Sequence, residues 1–186
     1  MEIVEFQTPQ KWREWLEKNH LHSKGICLKI SKVKAPESTI SYQEALDEAL
    51  CFGWIDSQKL PLNEHYWLQK FGPRKAKSIW SKTNIAHVER LIKSKKMSHV
   101  GLKSVNQAKQ DGRWDQAYDT QSQMIIPDDF LVELQKNESA ERFFKTLNRS
   151  NLFAIYFKLH SAKKPETRKK RMDEIMAKLS RGEKFH

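Results

Sequence analysis

The sequence predicts an α+β protein whose N-terminal half holds a small, mainly antiparallel sheet of about three strands packed with helices. Its C-terminal half is predicted to be mainly helical. Short runs with alternating apolar residues occur at 26–33, 54–59 and 65–71, which is typical of strands. After Gly72-Pro73 the apolar residues recur at spacings of three and four, as in amphipathic helices. The 19 aromatic residues, with only six glycines and six prolines among 186 residues, exclude disordered and collagen-like proteins.

The first helix is predicted by Thr8 as N-cap and Pro9 at the first helical position. It would bury three residues at helical spacing, Trp12, Trp15 and Leu16. A second helix starts at the capping box formed by Ser41 and Glu44 and ends near Gly53. The strands at 54–59 and 65–71 would follow it, joined by a Pro-Leu-Asn-Glu turn.

Helices dominate the remainder of the predicted fold. Asn84 is expected to cap a helix reaching about Lys95, and another helix covers 99–110. Pro127 starts a further helix, and three more are predicted at 138–147, 151–161 and 165–181. We therefore expect an α+β domain over 1–114 and a helical region over 127–186 packed on it, with the boundary within 115–126.

The formal net charge of +11 is concentrated in two segments. Residues 69–103 hold ten basic residues and one acidic residue, and residues 163–186 hold nine and four. The other two segments, residues 1–68 and 104–162, are close to neutral. Such clustering is expected of a surface that binds an anionic partner; the alternative is a basic chain kept soluble by its lysines.

The sequence favours a cytoplasmic protein. Its first residues, MEIVEF, lack a basic segment followed by an apolar one, and its apolar runs are too short to span a bilayer. Two cysteines do not form a disulfide framework. Cys51 lies among apolar residues and is predicted to be in the core, whereas the alternation around Cys27 allows it to lie on the more exposed face of its strand.

The common enzyme signatures are missing, including the GxSxG, GxxxxGK[ST] and HExxH patterns. His20 and His22 have the spacing of two metal ligands on a strand, but they lack a neighbouring cysteine or carboxylate, so no metal is predicted. No cofactor is expected either. The sequence slightly favours a binding protein over an enzyme.

The strand at 54–59 places Asp56 on a half-buried surface, where a carboxylate needs a partner. Arg74 or Arg113 could supply it as a bidentate fork. Such a pair would either position a ligand or form a structural salt bridge, and an exposed strand end is a third interpretation.

Residues 73–84 combine cations, hydroxyls and an indole. They can bind an anion through charge, donated hydrogen bonds and stacking; the alternative is an exposed loop with Trp80 in the core. Arg113 and Trp114 lie in a turn predicted after Gly112, where they either belong to the ligand site or pack against the core. The candidate ligand-binding residues are Asp56, Arg74, Lys75, Ser78, Trp80, Asn84, Arg113, Trp114 and Tyr118.

A further basic surface is predicted from Lys77, Lys82, Arg168 and Arg171. The last two lie on the predicted C-terminal helix, where pairs such as Glu166 and Lys170 stand at i, i+4 spacing. This helix is either a solvated charged face or a basic amphipathic helix that contacts an anionic membrane or nucleic acid.

Taken together, these residues resemble the YdeI/OmpD-associated family, also described as bacteriocin-protection proteins. The resemblance follows the chain in order, through residues 44–57, 73–84, 89–92, 108–118 and 162–171. It implies a bacterial protein, an association with an outer-membrane porin known only from the family name, and protection against bacteriocins or cationic peptides. It implies no catalytic residues.

We therefore expect a non-enzymatic stress or envelope-protection factor that binds an anionic partner: nucleic acid, a phosphate-bearing ligand or an anionic membrane surface. One alternative is a small-molecule enzyme that uses Asp56 as general acid or base, with Arg74 or Arg113 holding the substrate. The other alternative is a nucleic-acid-binding protein. The discriminating observation is whether Asp56, Arg74, Trp80 and Arg113 converge on one cleft.

Overall fold

A computed structural model describes residues 1–185. In this part of the chain it contains a four-stranded sheet and eight helices, so the α+β class is confirmed. The chain forms two compact units, residues 1–117 and a second unit that begins at Tyr118. All four strands and the first four helices belong to the first unit.

The strands are β1 (Ile3–Val4), β2 (Ile26–Ser31), β3 (Trp54–Pro61) and β4 (Tyr66–Pro73). The helices of the first unit are α1 (Pro9–Asn19), α2 (Tyr42–Cys51), α3 (Lys82–Lys93) and α4 (His99–Gln110). Those of the second unit are α5 (Asp128–Leu134), α6 (Glu138–Phe144), α7 (Arg149–His160) and α8 (Pro165–Ser180).

The sheet corrects the predicted strand count and pairing. Its order is β1-β2-β4-β3, and β1 pairs with β2 in parallel, whereas the other two pairs are antiparallel. The sheet is therefore mixed and four-stranded, not a purely antiparallel sheet of about three strands. β1 consists of two residues, which is too short for the alternation that reveals a strand.

Most of the predicted helix starts are confirmed. The Thr8 side chain accepts from Lys11 N, and Ser41 and Glu44 form the capping box of α2. The predicted start of α3 was wrong: Ser81 is its N-cap and accepts from the backbone N–H of Asn84. Serine and asparagine both favour the N-cap position, and Ser81, three residues before Asn84, occupies it.

The core of the first unit is built around tryptophan side chains. Trp12, Trp54 and Trp80 are at most 2% exposed, and the indole N–H of Trp12 donates to Ala45 O at 3.0 Å. Cys51 is buried as predicted. Cys27 is also buried, at 5% exposure, which corrects its predicted place on the more exposed face: both faces of β2 are largely covered.

The second unit has its own core, in which α5 to α8 bury Phe130, Ile155, Leu159, Ile175 and Leu179. Arg168 and Arg171 hold this unit together. Arg168 forks onto Asp129 at 2.6 and 2.7 Å, and Arg171 donates to Lys158 O at 2.6 Å and to Ser161 Oγ at 2.8 Å. These contacts tie α8 to α5 and to the end of α7.

Candidate functional site

The first unit contains a cleft of about 370 Å³ that we call the basic cleft. It lies between the end of β4, the α2–β3 turn and one side of α4. Its polar lining residues are His20, Arg74, Lys75, Lys103, Ser104, Gln107 and Arg113. Four of these side chains are cationic, and none of the lining residues is acidic. The cleft is therefore a region of positive potential suited to an anion.

The backbone at the end of β4 fixes the position of Arg74. Its N–H donates to Gly53 O at 3.0 Å, and its guanidinium donates to Ile79 O, also at 3.0 Å. The guanidinium carbon lies 3.8 Å from the centre of the Trp80 ring. Because the side chain is held from both ends, Arg74 presents a preorganised positive charge at the cleft wall.

Trp80 and Trp114 lie beneath this arginine in the core. Their ring centroids are 5.0 Å apart, and the two side chains are 2% and 9% exposed. Neither is among the residues that line the basic cleft. We therefore assign both side chains a structural role beneath the site. For Trp80 this agrees with the alternative interpretation, in which the indole lies in the core.

Arg113 reaches the same cleft from the turn after α4. Its guanidinium forks onto Asp111 at 2.7 to 2.9 Å and donates to Ser78 O at 2.9 Å. The hydrogen bond from Arg113 holds the pKa of Asp111 below its usual range. Asp111 thus offsets much of the charge of Arg113, whereas no ion pair within residues 1–185 is found for Lys75 or Lys103.

A second cleft, of about 490 Å³, shares Pro73, Arg74 and Lys75 with the basic cleft. We call it the aspartate cleft, because Asp56 lines it together with Arg74, Lys75 and Ser78. Asp56 accepts a hydrogen bond from the Tyr42 hydroxyl at 2.9 Å. The sequence analysis missed Tyr42, which is the first residue of α2, directly after the N-cap Ser41.

The predicted site residues therefore fall into several groups. Arg74 and Lys75 line both clefts, Arg113 lines the basic cleft, and Asp56 and Ser78 line the aspartate cleft. Asn84 lies in the first turn of α3, beside the exposed Lys82, and is not a lining residue of either cleft. Lys77 is exposed in the turn before Trp80. Tyr118 belongs to the second unit, where its ring packs edge-on against Phe157 at 5.1 Å.

Two residues of the basic cleft were missed by the sequence analysis as ligand-binding candidates. His20 was weighed there as a metal ligand, and Lys103 was counted only among the ten basic residues of segment 69–103. Within residues 1–185 no group of three His, Cys, Asp or Glu side chains could hold a metal ion. No helix among these residues is long and apolar enough to cross a membrane.

Comparison with protein families gives a match for each of two parts of the chain. Residues 4–104 match the family described as "Domain of unknown function (DUF8412)", and residues 123–182 match "Bacteriocin-protection, YdeI or OmpD-Associated". Comparisons with curated proteins and with solved structures find no match. The chain thus belongs to the DUF8412 family, whose model covers more than half of it, and its residues 123–182 are similar to the bacteriocin-protection, YdeI or OmpD-associated family.

Proposed function

We propose that this protein binds a small phosphate-bearing ligand in the basic cleft, and that it acts by binding, without catalysis, in a protective role of the kind named in its family description. The observation that carries the proposal is the composition of the cleft wall. Four cationic side chains and two neutral hydrogen-bonding side chains, Ser104 and Gln107, line it together with His20, and no carboxylate does.

The size of the cleft favours a small ligand over a polymer. A volume of about 370 Å³ lies at the lower end of the range for small-molecule sites. Specific nucleic-acid interfaces instead cover on the order of 1,000 Å² of protein surface. A phosphate group with a small substituent therefore fits the cleft better than a nucleic-acid strand.

The donors available in the cleft suit a tetrahedral anion. Arg74 supplies a fixed planar fork, while Lys75 and Lys103 supply mobile point charges from two other sides. Phosphate oxygens are bound well by this combination of arginine and lysine. Because the two lysines are exposed, they can close on a ligand without breaking an existing ion pair.

The test is isothermal titration of inorganic phosphate and of pyrophosphate into the full chain. We expect the double variant Lys75→Ala/Lys103→Ala to weaken binding about tenfold, corresponding to the loss of two charge-assisted contacts. Lys77→Ala is the matched control: it removes a lysine from the same turn that is not a lining residue of the cleft, so binding should stay within about twofold.

Two results would contradict the proposal. One is the absence of binding at millimolar phosphate. The other is tight binding of a single-stranded oligonucleotide with a steep salt dependence, weakened equally by Lys75→Ala and Lys77→Ala, which would indicate an extended nucleic-acid surface.

A second candidate function, a small-molecule enzyme, is favoured by one observation: Asp56 and Arg74 line the same aspartate cleft. A carboxylate beside a guanidinium can move a proton on a bound anionic substrate. Turnover of p-nitrophenyl phosphate that is lost in Asp56→Asn would support this function. Absence of turnover in a preparation that binds phosphate would leave the binding protein as the better account.

A further inference from the structure

We propose that the basic cleft selects a phosphate monoester whose substituent is apolar, a short alkyl or aryl group, over one that carries a sugar or another polyol. The inference rests on the proposed function and deepens it, because it names the class of ligand to which the phosphate belongs. It begins from Leu21, an exposed leucine that lines the cleft together with the cations.

Leu21 lies in the turn after α1 and is 70% exposed. A ligand that covers this side chain gains free energy in proportion to the apolar area removed from water. Isolated apolar residues are ordinary on a protein surface, but Leu21 shares its cleft with other apolar groups. Pro73 and Ala76 are exposed in the lining, and Val100 is half-buried there. The cleft therefore has an apolar side as well as a cationic one.

Hydrogen-bonding groups for a polyol are few in this lining. Ser104 and Gln107 are its neutral hydroxyl and amide side chains, and both come from α4. A sugar hydroxyl that leaves water without a replacement hydrogen bond costs free energy. A polyol that covers Leu21 would place hydroxyls against a hydrocarbon side chain, whereas an alkyl group loses no hydrogen bond there.

Backbone contacts at the start of β3 hold the apolar and the cationic sides of the cleft together. The indole N–H of Trp54 donates at 3.1 Å to the carbonyl oxygen of His20, the residue before Leu21. The backbone N–H of Arg74 donates to Gly53 O at 3.0 Å. The segments that carry Leu21 and Arg74 are thus bonded to two adjacent residues.

The helix α4 contacts the same place. Gly53 has a φ of +70°, and a Cβ atom built on it would lie 3.8 Å from Val100 Cγ1 and 3.7 Å from Ser104 Cβ. This part of α4 therefore lies within van der Waals reach of the turn before β3. Lys103, between these two residues in the sequence, also lines the cleft. One turn of α4 thus supplies an apolar, a hydroxyl and a cationic group.

These positions determine what the ligand gains from its substituent. Arg74, Lys75 and Lys103 attract the phosphate. In a cleft of about 370 Å³, a substituent attached to that phosphate covers the apolar lining residues nearby. Each CH₂ group that becomes fully buried raises the affinity about fourfold. A short alkyl chain therefore adds to the affinity of the phosphate.

The experiment compares propyl phosphate with glycerol 3-phosphate by isothermal titration into the full chain at about pH 8, where both are dianions. The two esters have the same carbon chain and the same charge, and they differ in the hydroxyl groups. We expect the unaltered protein to bind propyl phosphate about tenfold more tightly than glycerol 3-phosphate. Inorganic phosphate, which has no substituent, measures the contribution of the cationic lining alone.

Leu21→Asn replaces the apolar side chain by a branched polar one at an exposed position. The preference for propyl phosphate should fall to about threefold or less, while the affinity for inorganic phosphate should stay within about twofold. Leu62→Asn is the matched control, because Leu62 is an exposed leucine between β3 and β4 that does not line the cleft. Circular dichroism establishes that each variant is folded.

Val100→Thr provides a second variant, since it keeps the shape of the side chain and exchanges a methyl group for a hydroxyl. We expect it to narrow the difference between the two esters, through tighter binding of glycerol 3-phosphate. An unchanged ratio in both Leu21→Asn and Val100→Thr would contradict the apolar selection.

A phospholipid with a terminal phosphate carries the same chemistry, so a further arm tests the source of the ligand. Because the lining residues enclose a small cleft, we expect a soluble ester. Vesicles of phosphatidylcholine and phosphatidic acid should then sediment the unaltered protein and Leu21→Asn to the same extent. Sedimentation that Leu21→Asn abolishes would overturn the soluble ester and assign the phosphate to a membrane lipid.

The outcomes separate this proposal from the proposed function. Equal affinities of the unaltered protein for propyl phosphate and glycerol 3-phosphate, or an equal loss in Leu21→Asn and Leu62→Asn, overturn the apolar selection and leave the basic cleft as a phosphate site. No binding of either ester or of inorganic phosphate overturns both.

Discussion

The guanidinium of Arg74 lies over the ring of Trp80, with its central carbon 3.8 Å from the ring centre. Trp80 in turn contacts Trp114, and the Lys109 ammonium lies 5.0 Å from the Trp114 ring. Two cations thus contact two buried indoles, and one of those cations lines the basic cleft. The Arg74 part of the cleft wall therefore rests directly on the tryptophan core.

The first prediction concerns this contact. A cation–π pair at a partly buried position contributes about 1 kcal/mol, so Arg74→Met, Trp80→Leu and the double variant should show a coupling free energy of that size. The measurement is urea unfolding followed by tryptophan fluorescence. Additive single effects would mean that the two side chains touch without stabilising each other.

Much of this region was predictable from the sequence. The capping box at Ser41 and Glu44 and the burial of Cys51 follow from local patterns. The meeting of Arg74 and Arg113 at one cleft does not, because the two residues are far apart in the sequence. Other features depend on the tertiary fold. Tyr42 meets Asp56 across 14 positions of sequence.

The two-residue strand β1 is another feature that depends on the tertiary fold and not on a local sequence pattern. It forms because Ile3 and Val4 pair with Cys27 and Leu28, which are distant in the sequence. A strand of two residues is too short to show an alternating pattern. Both faces of β2 are then covered, which is why Cys27 is buried despite the alternation around it. Burial on both faces removes the polar positions from which an exposed face is predicted.

The second prediction concerns Gly101, where α4 crosses the C-terminal end of α2. A Cβ atom at this position would overlap the carbonyl oxygen of Cys51 and lie 2.8 Å from its carbonyl carbon. The same carbonyl accepts from the Ser98 hydroxyl at 2.6 Å, so it cannot move without breaking that bond. We expect Gly101→Ala to lower the free energy of unfolding by about 3 kcal/mol.

Asn106→Ala is the control for this substitution, because Asn106 is exposed on the same helix and should change stability by less than about 0.5 kcal/mol. Since α4 also carries Lys103 and Ser104, Gly101→Ala should weaken phosphate binding as well. A variant of normal stability would show that α4 can shift away from α2 at little cost.

The third prediction concerns Cys51. Burial is the main cause that raises the pKa of its thiol to about 11, with a further increase from Glu48 and an opposing effect from Arg13. At about pH 8 only on the order of one thiol in a thousand would be ionised, compared with roughly a quarter for a free cysteine. The thiolate is the reactive form, so the native protein should resist alkylation.

The measurement uses Cys27→Ala, which leaves Cys51 as the single cysteine of the sequence. Reaction with a thiol reagent at about pH 8 should be slow in buffer and complete within minutes in concentrated urea. Fast stoichiometric reaction without denaturant would mean that α2 opens readily at its C-terminal end.

The last prediction concerns Asp129 and Arg168, which join α5 to α8 in the second unit. The hydrogen bond from Arg168 is the main cause that holds the pKa of Asp129 below its ordinary value. A carboxylate with a depressed pKa in the folded state stabilises the fold above its unfolded pKa, and this stabilisation is lost as pH falls through the folded value. Asp129→Asn should therefore destabilise α8 at neutral pH and have no effect in strong acid.

The Asp129 side chain is about half exposed, so we expect a loss of only about 0.5 to 1 kcal/mol at pH 7. It would be measured as reduced amide-exchange protection in α8, and it should shrink below about pH 4, where unfolded aspartate becomes protonated. Glu133→Gln is the matched control, because it removes a half-exposed carboxylate from the same helix that pairs with Lys136 and not with α8 within residues 1–185. A pH-independent effect of Asp129→Asn would show that packing, and not the charged pair, holds α5 against α8.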